Sequence, residues 1–132
     1  MLGPYRLEVP LEPVPCPRPR MTRFGAIYYP AKYSHWKAAA SRIIPGLLWD
    51  AGLHSPINTE VQVSLHFFAT RPRTTKLSYP KPDIDNYCKS VLDALNGHAW
   101  EDDSQVIYLH ASKAWAPPNT PGHIQVVIAP LK

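Results

Sequence analysis

The feature that most constrains the fold of this chain is a segment between Pro82 and Gly97 that predicts one helix with a defined beginning and end. Aspartate and asparagine side chains stand near its start, where they can satisfy free backbone N–H groups. Apolar residues then recur at helical spacing and form a single stripe: Ile84, Tyr87, Cys88, Val91, Leu92 and Leu95. Asn96-Gly97 supplies a stop signal at the C-terminal end. The segment therefore predicts an amphipathic helix.

The rest of the chain predicts one more helix and four strands. Residues 61–68 alternate apolar and polar side chains, which indicates a half-buried strand, and the other predicted strands are residues 5–9, 105–113 and 124–129. Ser34 can cap a helix that runs to Trp49, and Pro45 inside that helix predicts a kink or a break. The predicted fold is an α+β domain, a small mixed β-sheet with two main helices in the order β-α-β-α-β-β.

Composition limits the class of protein. Prolines at almost every second position between residues 10 and 19 forbid a regular helix or a central strand there. A length of 132 residues suits one domain, residues 1–132. No apolar run approaches twenty residues, and no basic segment followed by an apolar one opens the chain, so we expect neither a membrane span nor a secretory signal. Two cysteines are too few for a disulfide framework, and we expect a cytoplasmic protein.

Acidic residues are concentrated in one short part of the sequence. Six of the ten acids lie between residues 83 and 103, beside a single base, Lys89, whereas the remaining chain has thirteen bases and four acids. One interpretation is a metal site that acts on a polyanion, with the basic surroundings gripping phosphates. The other is that these are solvated charges that balance nearby ones.

Helical phase ranks the acids as site candidates. At about 100° per residue, Asp85 lies on the flank of the apolar stripe, Lys89 lies one turn further out, and Asp93 falls nearly opposite the stripe, where it should face water. Asp83 stands at the start of the helix, and a turn there can aim its carboxylate toward that of Asp85. Asp103 precedes the strand at residues 105–113 and can reach the same cleft. The alternative is that Asp83 and Asp85 merely cap the helix.

Three carboxylates and a lysine suit Mg²⁺ chemistry on a phosphodiester. Magnesium prefers oxygen ligands and is usually held by a few carboxylates together with substrate phosphate oxygens. Such an ion can activate water and neutralise phosphate charge, and a nearby lysine can stabilise the same charge. Other sites fit poorly: the sequence lacks the glycine and glutamate of an EF-hand loop, zinc-ligand spacing of cysteine and histidine, and the Gly-x-Ser-x-Gly motif of a hydrolase.

Two basic segments are candidates for contact with DNA. The first contains Arg18, Arg20 and Arg23, followed by Phe24 and two tyrosines, and arginines interleaved with aromatics suit a nucleic-acid backbone. The second contains Arg71, Arg73 and Lys76 and leads to the acidic helix. The plainer interpretation of the first segment is a polar loop that packs its own aromatics.

The acidic segment contains a long, spaced motif: Lys81-Pro82-Asp83-x-Asp85-Asn86, Lys89, Asp93-Ala94-Leu95-Asn96-Gly97, Asp102-Asp103-x-Gln105-Val106 and Lys113. This motif resembles the RusA family of Holliday junction resolvases, small endodeoxyribonucleases of phages and bacterial prophages. It implies metal carboxylates at Asp83, Asp85 and Asp103 and a functional lysine at Lys89. Asp102 is a further candidate, and Asp93 is expected to have a structural or dimer role.

The resemblance also implies an activity. We expect a Mg²⁺-dependent homodimer, phage or prophage encoded, that nicks two strands of a four-way DNA junction symmetrically. Hydrolysis by metal-activated water should leave a 5′-phosphate and a ligatable 3′-hydroxyl. Two alternatives remain open at this point: a nuclease for other branched DNA such as flaps or forks, and a non-catalytic junction-binding protein.

Overall fold

The computed structural model describes residues 3–132, which contain two α-helices and six β-strands. The elements in chain order are β1 (Tyr5–Val9), β2 (Arg20–Met21), β3 (Ile27–Tyr28), α1 (Ala31–Asp50), β4 (Val61–Ala69), α2 (Ile84–Leu95), β5 (Val106–Trp115) and β6 (His123–Pro130), with a one-turn 3-10 helix at Asp103–Gln105. The predicted α+β class and the order of the six main elements are confirmed. The sequence did not predict β2 and β3, which pair with each other as a short hairpin.

The six main elements form one mixed sheet with two helices packed against it. The strand order is β1-β6-β4-β5, in which β6 runs antiparallel to both β1 and β4 while β5 runs parallel to β4. Alternation along β4 buries Val61, Val63, Leu65 and Phe67 at 0–1 % exposure, because every second side chain faces the helices. The core therefore lies between the sheet and the two helices.

Helix α1 differs from its prediction in two ways, at its start after Pro30 and at Pro45. It begins at Ala31, directly after Pro30, so Ser34 lies inside the helix and does not cap it. The predicted break at Pro45 is wrong, since α1 continues to Asp50. Pro45 lies on the exposed side, where water can satisfy the carbonyl one turn earlier that loses its N–H partner.

Helix α2 follows its prediction closely. It spans Ile84–Leu95 and ends at Asn96-Gly97, where Gly97 has φ +82°, a conformation that favours glycine. Its buried side chains include Tyr87, Cys88 and Val91 from the predicted stripe. The ring of Tyr87 stacks on Phe67 of β4 at 5.1 Å between centroids, which fixes α2 over the sheet.

Strand β5 lies at one edge of the sheet and is exposed along most of its length. Ile107, Tyr108 and Leu109 expose 53 %, 56 % and 43 % of their surface.

Neither helix among residues 3–132 has the length and hydropathy that a membrane span requires.

Candidate active site

A cleft of about 390 Å³ lies between α2 and β5 and contains most of the predicted catalytic residues. Its apolar wall comes from both elements: Ile84, Cys88 and Leu92 on α2, and Leu109 and Ala111 on β5. Its charged groups are Asp85, Lys89, Asp93 and Asp103. The fold therefore brings together three of the four predicted catalytic residues, Asp85, Lys89 and Asp103, from two separate segments.

The charged groups of α2 follow one another at intervals of one turn. Asp85, Lys89 and Asp93 are spaced i, i+4 and i+8, which places them along one side of the helix. The Lys89 Nζ donates to Asp93 Oδ2 at 3.3 Å, and this hydrogen bond, together with the charge of Asp93, raises the pKa of the Lys89 ammonium. The pair is solvent-exposed on the Lys89 side, so it orients the lysine more than it stabilises the fold.

Asp93 lies in the cleft, contrary to the expectation that it faces water. Its side chain is 33 % exposed. Burial raises the pKa values of both Tyr33 and Asp103, and the charge of Asp93 contributes to both rises. Helical phase alone failed here because α2 has neighbours on more than its apolar stripe: the chain around Tyr33 and the loop around Asp103 cover part of its outer side.

Asp103 is held by a contact that reaches into the core. Trp100 is fully buried, and its indole Nε1 donates to Asp103 Oδ1 at 2.7 Å. Asp103 opens the 3-10 helix, which Asp102 caps by accepting a hydrogen bond from the backbone N–H of Ser104 at 3.0 Å. Gln105 completes the anchoring, since its Oε1 accepts from the Asp102 N–H at 2.8 Å. These contacts leave the Asp103 carboxylate directed at the cleft.

The two adjacent acids of this loop have opposite pKa shifts. Partial burial raises the pKa of the Asp103 carboxyl, and the hydrogen bond from Trp100 opposes that rise. Hydrogen bonds from Ser104 lower the pKa of the exposed Asp102 carboxyl. A desolvated carboxylate gains most from a nearby cation, whereas Asp102 already has a structural hydrogen bond. Of the two, Asp103 is therefore the better ligand candidate.

Asp83 lies outside the cleft. It precedes α2 as the N-cap residue, yet its side chain makes no capping hydrogen bond. It lines a neighbouring groove with Lys81, Pro82 and Asn86. The capping interpretation of Asp83 is therefore wrong, while Asp85 Oδ1 does accept a 3.0 Å hydrogen bond from the N–H of Asn86.

The carboxylates of the cleft could bind magnesium in a site that leaves positions for water and substrate. Among residues 3–132, no three His, Cys, Asp or Glu side chains converge closely enough to hold a metal ion. Asp85 and Asp103 nevertheless face one cleft with carboxylate oxygens, and neither forms an ion pair within the described residues. Magnesium is commonly bound by one or two carboxylates plus water and substrate phosphate. The residues fit that arrangement and not a closed protein cage.

The predicted DNA-contacting residues lie outside the cleft on two exposed segments. Arg18 precedes the β2–β3 hairpin, Arg20 begins β2, and Arg23 lies in the turn of the hairpin. The second set, Arg71, Arg73 and Lys76, lies between β4 and α2 and is also exposed. Residues 61–82 contain no acid, and neither do residues 13–49. Both segments therefore give the surroundings of the cleft a positive charge.

Two residues that position the site were not identified as such from the sequence. Trp100 orients Asp103, and Lys113 of β5 donates from Nζ to the carbonyl of Pro82 at 2.7 Å, just before α2 begins. The Lys113 ammonium also lies 5.5 Å from the ring centre of Tyr79. The spacing Trp100-x-x-Asp103 is a weak signal, and no local pattern links Lys113 to a carbonyl 31 residues earlier.

Comparison with known proteins identifies the family of this chain. The family profile described as endodeoxyribonuclease RusA matches residues 10–128. A Bacillus subtilis (strain 168) protein, described as uncharacterized protein YqaN, is 30 % identical over 122 residues, which cover 80 % of this chain and 83 % of that protein. The matched region includes both helices, the acidic cleft and the hairpin arginines. The chain belongs to the RusA endodeoxyribonuclease family.

Proposed function

We propose that this protein resolves four-way DNA junctions as a Mg²⁺-dependent homodimer that makes paired, symmetric nicks. The observation that carries the proposal is the meeting of Asp85, Lys89 and Asp103 in one cleft, although α2 and the Asp103 loop are separate segments. Family membership supports endonuclease activity on DNA and Holliday junctions as the substrate class.

The proposed catalytic residues are Asp83, Asp85, Lys89 and Asp103. Asp85 and Asp103 would hold Mg²⁺, with Asp83 as the third carboxylate, since its side chain has no capping bond to break before it can turn to a ligand. When bound, the ion supplies charge neutralisation for the scissile phosphate and acidifies water. Lys89 offers its ammonium to the non-bridging phosphate oxygens. The raised pKa of Lys89 keeps it charged at neutral pH.

Substrate binding is assigned to the two basic segments. Arg18, Arg20 and Arg23 lie on the exposed chain around the β2–β3 hairpin, and Arg71, Arg73 and Lys76 belong to the exposed chain that leads into α2. None of these six residues forms an ion pair within the described residues, so their charges are available to phosphates. The arrangement favours a polyanion that spans the cleft, with the acids contacting it only through a cation.

A second copy of the chain is the partner proposed for strand β5. The strand has one unpaired edge, exposes three large apolar side chains, and has no Lys, Arg, Asp or Glu between residues 106 and 112. An uncharged apolar edge does not suit phosphate, whereas it can pair with another strand edge. Symmetric nicking needs two active sites, and a twofold dimer provides them.

The decisive experiment compares a mobile four-way junction with a flap, a fork and a linear duplex, each with and without Mg²⁺. We expect paired nicks near the crossover, only with Mg²⁺, that can be sealed by ligase. Asp103→Asn and Asp83→Asn should bind the junction at least as well as the wild type and not cleave it, because each removes a negative charge that faces phosphate.

Glu101→Gln is the matched control, since Glu101 is exposed in the same loop and contributes nothing to the cleft. It should cleave like the wild type. Preferred cleavage of flaps or forks would replace the resolvase assignment with a different branched-DNA nuclease. Tight junction binding without nicks under any divalent ion would make the protein a binding module.

A further inference from the structure

The β2–β3 hairpin, with the residues that flank it, forms an exposed projection that we call the arm (residues 18–29). All twelve of its residues are exposed. Two backbone pairs define its ladder, Arg20 with Tyr28 and Met21 with Ile27. Met21, Phe24 and Ile27 expose 67 %, 83 % and 68 % of their surface. The Phe24 ring is thus not packed into the protein, contrary to the plainer interpretation of this segment.

The tip of the arm is a well-defined turn. The hydroxyl of Thr22 accepts hydrogen bonds from the N–H groups of Phe24 and Ala26, and the Thr22 N–H donates to the Ala26 carbonyl at 2.8 Å. Gly25 has φ +85°, which the turn requires and which other residues rarely adopt. The turn therefore fixes the backbone that carries Phe24 at its apex.

The surroundings of Phe24 indicate what it can bind. The guanidinium of Arg23 lies 4.9 Å from the centre of the Phe24 ring, so one face of the ring carries a cation. Residues 13–49 include six bases and no acid. An aromatic ring beside arginines in an acid-free segment suits a nucleobase, which stacks on the ring while the arginine meets the adjacent phosphate.

The arm starts beside α2, the helix that carries Asp85 and Lys89 of the active-site cleft. On the chain leading into it, the Cys16 N–H donates to the Asn86 carbonyl at 2.9 Å, and Ser90 Oγ donates to the Val14 carbonyl at 2.6 Å, so this side is fixed to α2. On the other side, the ring of Tyr29 lies 5.3 Å from that of Tyr33, which is buried. An extended segment of seven residues spans at most roughly 23 Å, so Phe24 lies within several base steps of the point where the arm joins α2.

We propose that Phe24 is a base-stacking residue that receives an unpaired base at the strand-exchange point of the branched substrate. This inference rests on the proposed function. Bases inside a duplex are already stacked on both faces, whereas a base at the crossover has a free face. Phe24 thereby favours branched DNA over linear duplex, while the arginines of the arm bind both through phosphates.

The test uses a four-way junction carrying 2-aminopurine at the crossover, with a linear duplex of the same sequence, in the absence of divalent ions so that nothing is cleaved. Wild-type protein should raise the 2-aminopurine fluorescence on binding, because the base leaves the neighbouring bases that quench it and stacks on a phenyl ring that quenches weakly. Phe24→Ala should lose this rise and bind the junction roughly 5- to 100-fold more weakly, with duplex affinity unchanged. Phe24→Trp should restore the junction affinity, and Met21→Ala, which removes a large, exposed but non-aromatic side chain, should behave like the wild type.

Three results would overturn the proposal. Phe24→Ala could match the wild type in junction affinity and fluorescence change, or it could lose duplex affinity to the same extent as junction affinity. It could also change the molecular mass in solution together with the loss of binding, which would make the tip a contact between copies of the chain. A wild-type protein that neither prefers nor nicks branched DNA would instead refute the proposed function, and the stacking proposal with it.

Discussion

Replacing Trp100 by phenylalanine tests how the core controls the active site. The substitution removes the Nε1–H that donates to Asp103 at 2.7 Å from a fully buried ring. Burial raises the pKa of Asp103, and the hydrogen bond from Trp100 opposes this rise because it favours the ionised carboxylate. Loss of the hydrogen bond should therefore raise the pKa of Asp103 further. A higher pKa leaves less carboxylate at a given pH, and activity is lost first on the acidic side and recovers as the pH increases.

The magnitude follows from the type of contact. Partners that orient a metal-binding side chain typically contribute roughly 10- to 100-fold to metal affinity or activity. We therefore expect Trp100→Phe to nick a four-way junction roughly 10- to 100-fold more slowly than the wild type, with the deficit largest on the acidic side. The assay is single-turnover nicking at saturating protein over a pH series, with Mn²⁺ binding measured in parallel.

Stability must be separated from the effect on the carboxylate. Ile128→Val is the matched control, because it also trims a fully buried side chain, should cost about 0.5–1.5 kcal/mol, and lies on β6 away from the cleft. It should leave the pH profile unchanged. A folded Trp100→Phe protein whose rate falls equally at every pH, or does not fall, would refute the proposed link between Trp100 and the ionisation of Asp103.

Three further predictions concern other parts of the molecule. Ser90→Ala leaves the Val14 carbonyl without its 2.6 Å partner and should lower the free energy of unfolding by about 1–3 kcal/mol in urea titrations. Ser41→Ala, on the exposed side of α1, should change this free energy little. Equal effects of the two substitutions would show that the buried contact is unimportant. Ile107→Lys should shift the protein from dimer to monomer in sedimentation, and an unchanged mass would place the interface elsewhere than β5. Arg73→Ala should reduce the slope of log affinity against log salt by roughly 0.9, and a parallel loss at every salt concentration would mean that Arg73 does not contact phosphate.

Local patterns were sufficient for the elements whose signals are contained within a few residues. The apolar stripe of α2 and its Asn96-Gly97 stop gave the helix to within a residue of its observed bounds, and the alternation of β4 gave its buried face. Pro45 shows the limit of such patterns: its effect on α1 depends on whether the freed carbonyl meets water, which only the packing of the helix decides.

The sequence predicted which residues belong to the candidate site better than it predicted where they lie. The family resemblance selected Asp83, Asp85, Lys89 and Asp103, and the fold gathers the last three, but it leaves Asp83 in the neighbouring groove. Asp93 was misplaced because helical phase describes one helix and not its neighbours. Trp100 and Lys113 act through contacts that are set by tertiary packing, which sequence spacing does not record.

The loop that carries Asp103 depends on a part of the chain that comes much earlier. Gln105 Nε2 donates to the carbonyls of Ile57 and Thr59, each at 2.8 Å, across 48 and 46 residues, and the Ile57 N–H donates to the carbonyl of Ala99 at 2.9 Å. Helix α2, in contrast, forms from contacts within a single short segment. Because long-range contacts must first overcome loop-closure entropy, Asp85 should reach its helical position early in folding and Asp103 only late. A partly folded chain would then hold a formed α2 and half of the proposed cation site, so we expect no cleavage of DNA before the sheet is complete.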